Sequence, residues 1–304
     1  MDNERLPIKF FAPREIDELR VEGNRNQEPP RWLLTGQDLI DRSTQLLDAF
    51  HSFSDIFEQR TSEMIFSIEP MPQYTLSLDF VDHGNDVSPV YPADGRRYET
   101  LGILDNGIAS IPQLQPWMEG KRWTVYPENV ISKTHGTFVA GVALYGDIFE
   151  EKDWIGHNGI KLFDAAIFPD PAKESLDEDD LIANIQEAIK ANHEKVKVWN
   201  LSVSITREVD DSKFSDFAIA LDALQEQYNI CKSAGNCKNF AMHLPKGRIH
   251  EGADSVLSLV VGSMAHKKGQ FDCADIDNPS PFTRVGPGPE FIIKPEVAHY
   301  GGNA

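Results

Sequence analysis

The 304-residue sequence predicts an α/β fold, in which a parallel sheet is flanked by helices, together with a smaller N-terminal α+β region. After residue 95, short apolar runs alternate with helical patterns, and this alternation is typical of βαβ units. Before residue 95 the chain shows no such rhythm. The stretch 82–97, which is rich in Asp, Gly and Pro, has the composition of a linker. We therefore predict two domains, residues 1–95 and residues 96–304.

The first predicted domain, residues 1–95, contains one helical pattern and two strand patterns. Apolar residues recur at helical spacing over residues 37–59, and Thr35 is placed to cap that helix. Residues 64–68 and 74–80 have the composition of short strands. The sequence leaves open whether this region inhibits, chaperones or recruits for the rest of the chain, so it is propeptide-like or accessory.

The second predicted domain contains the strands and helices of the main sheet. Its predicted strands cover residues 101–104, 162–168, 196–203, 230–234 and 256–261. Its predicted helices cover residues 135–144, 176–193 and 213–228. Ser175 with Glu178 forms a capping-box pattern at the start of the second helix. Because strands and helices alternate, the strands are expected to lie parallel in a buried sheet.

Composition and net charge limit the classes of molecule that this protein can bind. A net charge of −19 repels nucleic acids and anionic membranes, since both are polyanions. No run approaches the ~18 apolar residues that a membrane span needs. The N-terminus lacks the apolar segment of a signal peptide, and the three cysteines lack metal-ligand spacing. We therefore expect a cytoplasmic protein without a metal or cofactor, whose cysteines are free thiols.

Three polar residues stand where acid–base chemistry needs them. Asp105 ends the first predicted strand of the main sheet, His135 begins the helix that follows, and Asn236 comes after the 230–234 strand. A carboxylate can fix the tautomer of a histidine, which then takes a proton from a hydroxyl nucleophile. A side-chain amide can stabilise the resulting oxyanion. Singly, each residue also fits a structural role at a turn, but the order Asp, His, Asn together predicts a serine protease.

These residues lie in motifs that resemble the subtilase (subtilisin-like, S8) family over roughly residues 99–304. The similar segments are residues 103–108 (ILDNGI), 135–141 (HGTFVAG), 200–204 (NLSVS), 233–236 (SAGN), 280–287 (SPFTRVGP) and 293–298 (IKPEVA). The resemblance implies a subtilisin-like sheet with Asp105 and His135 as catalytic residues and Asn236 as the oxyanion donor. It also implies a substrate-binding role for five further residues: Ser202, Val203, Ser204, Ala234 and Gly235. Ser204 departs from the family, which usually has a glycine there.

The serine nucleophile of the family follows the last two of these segments, but no serine follows Ser280 in this chain. Ser263 lies in a sequence, GSMA, that echoes the nucleophile motif, yet it precedes both segments, so we interpret it as a strand-end serine. We therefore expect a peptidase domain truncated before its nucleophile, and an inactive chain. The missing segment also predicts exposed apolar surface near His135, Val203 and Ala234.

Three hypotheses for the function remain open from the sequence. The first is a serine endopeptidase whose serine lies beyond residue 304. The second is a catalytically inactive subtilase-like module that binds peptides or regulates. The third is a different hydrolase that uses Ser263. The N-terminal region resembles that of bacterial intracellular subtilases, some of which act with an AAA-type ATPase. The expected partners are therefore a peptide or protein substrate and such an ATPase.

Overall fold

The structure is a computed structural model that describes residues 8–10, 68–70, 87–150, 159–203, 207–237, 245, 247–270 and 272–303. The chain divides into two compact units, Met1–Met71 and Pro72–Ala304. The domain boundary near residue 95 stays a prediction.

The first unit contains two described strands, β1 (Ile8–Phe10) and β2 (Ile68–Pro70), which pair antiparallel. The predicted helix over residues 37–59 and the predicted strand over residues 74–80 lie outside the described residues. Of the strand predicted over residues 64–68, only the last residue is described, and it begins β2.

Seven strands form one sheet within the described residues of the second unit. They are β3 (Thr100–Asp105), β4 (Trp123–Thr124), β5 (Lys161–Ala166), β6 (Val198–Leu201), β7 (Asn229–Ser233), β8 (Leu259–Met264) and β9 (Val297–Tyr300). Their order across the sheet is β4-β5-β3-β6-β7-β8-β9, and every neighbouring pair is parallel. The prediction of an α/β fold with a parallel sheet is thus confirmed.

The strand β3 lies where the strand order reverses. After β3 the chain forms β4 and β5 on one side of it and then β6 on the other side. Open α/β sheets bind ligands in the crevice at the carboxyl ends of strands next to such a switch point. The carboxyl end of β3, where Asp105 lies, is therefore the expected position of a functional site.

Helices cover both faces of the sheet. The helix α1 (Thr134–Phe149) shares a core with Ile103 and Leu162, whereas α2 (Glu178–Asn192) and α3 (Asp216–Gln225) share a core with Leu104 and Trp199. Side chains alternate between the faces of a strand, so Ile103 and Leu104 point in opposite directions. The sheet thus carries α1 on one face and the two later helices on the other. No helix among the described residues combines the length and apolarity that crossing a membrane requires.

Local hydrogen bonds explain where some elements depart from their predicted bounds. Asp177, and not Ser175, caps α2, because its carboxylate accepts a hydrogen bond from the main-chain N–H of Asp180 at 2.9 Å. The strand β8 begins three residues after the predicted start, at Leu259. The carboxylate of Asp222 binds the N–H groups just before it, at residues 256 and 257, and so removes them from the strand ladder.

Candidate active site

Asp105 and His135 form a buried pair at the carboxyl end of β3. Asp105 is the last residue of the strand and has no exposed surface, and His135 is the second residue of α1. Nδ1 of His135 lies 2.9 and 2.8 Å from the two carboxylate oxygens of Asp105. The expected hydrogen-bond contact between these side chains is therefore present. With the Nδ1 proton donated to the carboxylate, the lone pair of the imidazole lies on Nε2.

The two residues after Asp105 fix the approach of α1. Asn106 donates its main-chain N–H to Oδ1 of Asp105 at 2.8 Å and accepts the N–H of Gly136 on its side-chain oxygen at 2.9 Å. Gly107 has a φ of 101°, a conformation that favours glycine. A side chain at Gly136 would overlap with the carbonyl oxygen of Gly107. The start of α1 thus sits directly against the turn after β3, which is what holds His135 next to Asp105.

A buried ion pair that the sequence analysis missed braces the same turn. Asp164, in the middle of β5, accepts hydrogen bonds from the N–H of Ile108 at 3.1 Å and from the guanidinium of Arg122. Arg122 also donates to the carbonyl oxygen of Ile108. Burial raises the pKa of Asp164, although Arg122 acts in the opposite direction. The sequence did contain a sign of this ion pair, namely an aspartate within the apolar strand KLFDAA. A carboxylate buried in this way needs a partner.

The residues after β6 lie next to this pair. Because β6 runs parallel to β3 in register, Ser202 is level with Asp105 in the neighbouring strand. The hydroxyl of Ser202 accepts a hydrogen bond from the Asn200 side chain at 2.8 Å. Val203 is only 2% exposed and packs in the core, so its main chain alone is available to a ligand. Ser204 lies outside the described residues.

The residues after β7 form a turn held by main-chain contacts. Ala234 is buried, and Gly235 has a φ of 92°. Asn236 is partly exposed, and its carbonyl oxygen accepts a hydrogen bond from the side chain of Arg284 at 2.9 Å. The structure therefore places the segment at the carboxyl edge, two strands from β3, which corresponds to about 10 Å at the usual spacing between strands. Sequence reasoning did not single out Arg284.

Ser263 lies away from the pair. It is on β8, three strands from β3, or about 14 Å at the usual spacing between strands. Its hydroxyl lies 2.7 Å from that of Ser280, and its N–H donates to the hydroxyl of Thr283 at 3.0 Å. Within the described part of the chain, Nε2 of His135 has no hydrogen-bond partner. Ser263 is thus placed as a strand serine rather than as a nucleophile for His135.

The exposed apolar surface differs from the expected one. Val203 and Ala234 are each 2% exposed, because they point away from the face that carries α1. On the α1 side, the exposed apolar residues include Val142 of α1 at 54% and three strand residues: Val198 at 39%, Leu259 at 45% and Val297 at 45%. We call these four residues the open face. The prediction of exposed apolar surface is therefore wrong for Val203 and Ala234.

The chain is similar in sequence to a known protein family. The model of the subtilase family (peptidase S8) matches residues 97–304. Among solved structures, the chain is 19% identical to the patellamide maturation protease PatA, 20% to the prenylagaramide maturation protease PagA and 22% to a psychrophilic protease. The TM-scores are 0.40, 0.40 and 0.41. Each alignment covers 62% of this chain and 61%, 58% and 59% of the other, so the chain spans less than two thirds of these structures. No curated protein sequence matches the chain.

Proposed function

The chain belongs to the subtilase family, and on that premise we propose that it is part of a serine endopeptidase that hydrolyses peptide bonds with Asp105, His135 and a serine beyond residue 304. The observation that carries the proposal is the pairing of Nδ1 of His135 with both carboxylate oxygens of Asp105. Metal or cofactor chemistry has no part in the proposed reaction.

In the proposed reaction, Nε2 of His135 takes the proton of the serine hydroxyl as the oxygen attacks the scissile carbonyl carbon. The imidazolium that forms is stabilised by Asp105, whose carboxylate is fully buried and already bound to Nδ1. The imidazolium then protonates the leaving amine, and water hydrolyses the acyl-enzyme by the same steps. Burial strengthens the attraction between Asp105 and the imidazolium, because charges interact more strongly in a low-dielectric interior than in water.

The tetrahedral intermediate carries a negative oxygen that needs hydrogen-bond donors. The proposed donor is the side-chain amide of Asn236, which is partly exposed at the carboxyl edge of the sheet. The positive φ of Gly235 supports this assignment, because it turns the chain at the end of β7 just before Asn236. The substrate would approach along the segments that follow β6 and β7.

The proposed substrate is an extended segment of a peptide or protein. It would pair with main-chain groups at Ser202 and Val203, as peptides do in strand addition. Ser204, Ala234 and Gly235 complete the proposed substrate-binding set. A cytoplasmic location is supported by the free thiols of the three cysteines, since reduced cysteines are usual there. An AAA-type ATPase partner is a proposal that rests on resemblance alone, and co-purification with the native protein tests it.

A fluorophosphonate probe, which labels activated serines, tests the proposed function. We expect the 304-residue chain to stay unlabelled and the chain with its native C-terminal continuation to be labelled at a serine in that continuation. The His135→Ala variant of the extended protein should lose the labelling, since the serine is no longer activated. Stoichiometric labelling at Ser263 would overturn the proposal in favour of a different hydrolase. An extended protein that binds peptides without being labelled would favour the inactive binding module.

A further inference from the structure

We propose that Arg284 is a positioning residue, which holds the main chain of Asn236 so that the side-chain amide of Asn236 is aimed at the developing oxyanion. The catalytic consequence rests on the proposed function, whereas the positioning is a property of the chain itself. Arg284 is not among the residues that the family resemblance implied for the site. Its side chain is 12% exposed. It contacts Glu208, Asn236 and Arg248, and we call the region formed by these three segments the rim.

The guanidinium of Arg284 ties three segments of this rim together. Its Nε donates to the carbonyl oxygen of Asn236 at 2.9 Å, and its Nη1 donates to the carbonyl oxygen of Arg248 at 2.6 Å. Nη1 also lies 3.1 Å from a carboxylate oxygen of Glu208. The main-chain N–H of Arg284 donates to the carbonyl oxygen of Gly235 at 3.1 Å. Two successive carbonyl groups of the turn, at residues 235 and 236, are thus bound by the same residue.

The turn is held on its other side as well. The N–H of Cys237 donates to the carbonyl oxygen of Phe282 at 2.8 Å, and Asn236 forms an antiparallel bridge with Thr283. Residues 235–237 therefore lie along residues 282–284 like a short strand pair, although neither segment belongs to a strand of the sheet. The main chain of Asn236 is fixed in this way. Among the described residues the side-chain amide of Asn236 makes no hydrogen bond, so its donor group stays available to a ligand.

Arginine suits this role better than lysine does. Its planar fork presents five donors in fixed directions, so that it can bind two carbonyl oxygens and a carboxylate in one geometry. A lysine offers a single flexible ammonium group, which would satisfy one of these acceptors at a time. Carbonyl groups beyond a strand end lack ladder partners and need another donor when they are shielded from water. Loss of the fork would let the carbonyl of Asn236, and with it the amide, rotate.

A double-mutant cycle in the extended protein tests the proposal. We expect Arg284→Lys to lower kcat by about 10- to 100-fold with KM within about twofold, because a displacement of 1 Å costs about that much in rate. In an Asn236→Ala background, Arg284→Lys should cause no further loss, since both changes remove the same interaction. Arg284→Gln serves as a second variant. Additive losses, or a change in KM alone, would overturn the proposal.

Arg248→Lys is the matched control. The Arg248 side chain lies in the same region, but its guanidinium binds Asp211 and the carbonyl oxygen of Pro287 at 2.6 Å. Among the described residues it makes no hydrogen bond to residues 235–237. We expect this variant to keep the wild-type kcat. An equal loss of kcat in both variants would show that the rim is sensitive to any change, and would count against a specific role for Arg284.

Amide hydrogen exchange separates the positioning from the proposed function. In the 304-residue chain, Arg284→Lys should speed exchange of the Cys237 amide by about tenfold or more, because local opening becomes easier, and Arg248→Lys should not. If exchange responds as expected but the extended wild-type protein is inactive, the proposed function fails and the positioning stands. Unchanged exchange at Cys237 would refute the positioning itself.

Discussion

Both carboxylate oxygens of Asp105 lie within 2.9 Å of Nδ1 of His135, although the residues are 30 positions apart in the sequence. Two elements form the contact, since Asp105 is the last residue of β3 and His135 lies in the first turn of α1. Asn106 links the two by binding Asp105 with its N–H and Gly136 with its side chain. The pair is therefore formed by the fold and does not need a ligand to assemble.

Asp105→Asn should lower kcat of the extended protein by about 10³–10⁴-fold. The amide would preserve the shape but would stabilise the wrong tautomer of His135 and leave no charge opposite the imidazolium. Steady-state hydrolysis of a peptide substrate measures this. Asp94→Asn is the control, because Asp94 is exposed, and it should keep the wild-type rate. A wild-type kcat in Asp105→Asn would remove the catalytic assignment of this carboxylate.

Asn236→Ala should lower kcat of the extended protein by about 10²–10³-fold, the usual cost of losing one oxyanion donor. The KM for a peptide substrate should change little, because the oxyanion forms only after binding. Measuring kcat and KM separately on one substrate checks this. Unchanged turnover would show that another group stabilises the oxyanion.

The fold and the contact between Asp105 and His135 could be predicted from the sequence because both depend on local patterns. Strand β3 and helix α1 each begin one residue before their predicted starts, at Thr100 and Thr134, since apolar runs and a glycine turn mark them. The strands β4 (Trp123–Thr124) and β9 (Val297–Tyr300) were not predicted. One has two residues, and every residue of the other is exposed at the sheet edge, so neither carries a buried apolar pattern.

The parts of the site that sequence reasoning missed depend on contacts between distant segments. Arg284 binds the carbonyl oxygen of Asn236, and Arg122 braces Asp164, in each case across more than forty positions. A surface arginine and an arginine buried against carbonyl groups look alike in a sequence. Nor does the sequence distinguish Gly136 from Gly141, although a side chain at Gly136 would meet a neighbour and one at Gly141 would not.

Those two glycines give a matched test of stability on one helix. A side chain at Gly136 would overlap with the carbonyl oxygen of Gly107 and crowd Asp105, whereas one at Gly141 meets nothing within 4 Å. In the 304-residue chain, Gly136→Ala should therefore lower the free energy of unfolding by about 1–3 kcal/mol. Gly141→Ala should raise it by up to about 1 kcal/mol, because alanine favours the helix. Urea unfolding measures both, and equal shifts would contradict the tight contact at Gly136.

The buried Lys232 should make the stability of the folded chain depend on pH. Its side chain is buried in β7, and its Nζ donates to the carbonyl oxygen of Ser233 at 2.8 Å. Burial lowers the pKa of Lys232 from its ordinary value of 10.5 to about 7, although Asp254 acts in the opposite direction. Between these two pH values the folded chain holds Lys232 neutral and the unfolded chain holds it protonated. Because the unfolded chain binds more protons, the contribution of Lys232 to stability rises with pH across this window.

Lys232→Met should remove this contribution. The rise in the free energy of unfolding from pH 7 to pH 10 should become smaller by an amount on the order of a few kcal/mol. Urea unfolding at several pH values in this range measures it. Lys195→Met, which alters an exposed lysine, should leave the pH dependence as it is in the wild type. An identical pH dependence in Lys232→Met would show that Lys232 does not titrate between folded and unfolded states in this window.

The open face predicts self-association of the 304-residue chain. Val142 of α1 and the strand residues Val198, Leu259 and Val297 expose between 39% and 54% of their surface on one side of the sheet. Exposed apolar side chains on one face of a protein commonly mark a contact with another molecule or a tendency to aggregate. Size-exclusion chromatography with light scattering should therefore show a mass above that of the monomer, increasing with concentration.

A matched pair of lysine substitutions locates the contact. Val142 and Ile219 are equally exposed, at 54%, but Ile219 belongs to α3 on the opposite face of the sheet. Val142→Lys should shift the chain toward the monomer, because association would bury an unpaired charge, which is costly. Ile219→Lys should leave the association unchanged. If both variants behave alike, the open face is not the contact surface. If the wild-type chain is a monomer at all concentrations, the exposed apolar side chains on the α1 side do not drive association.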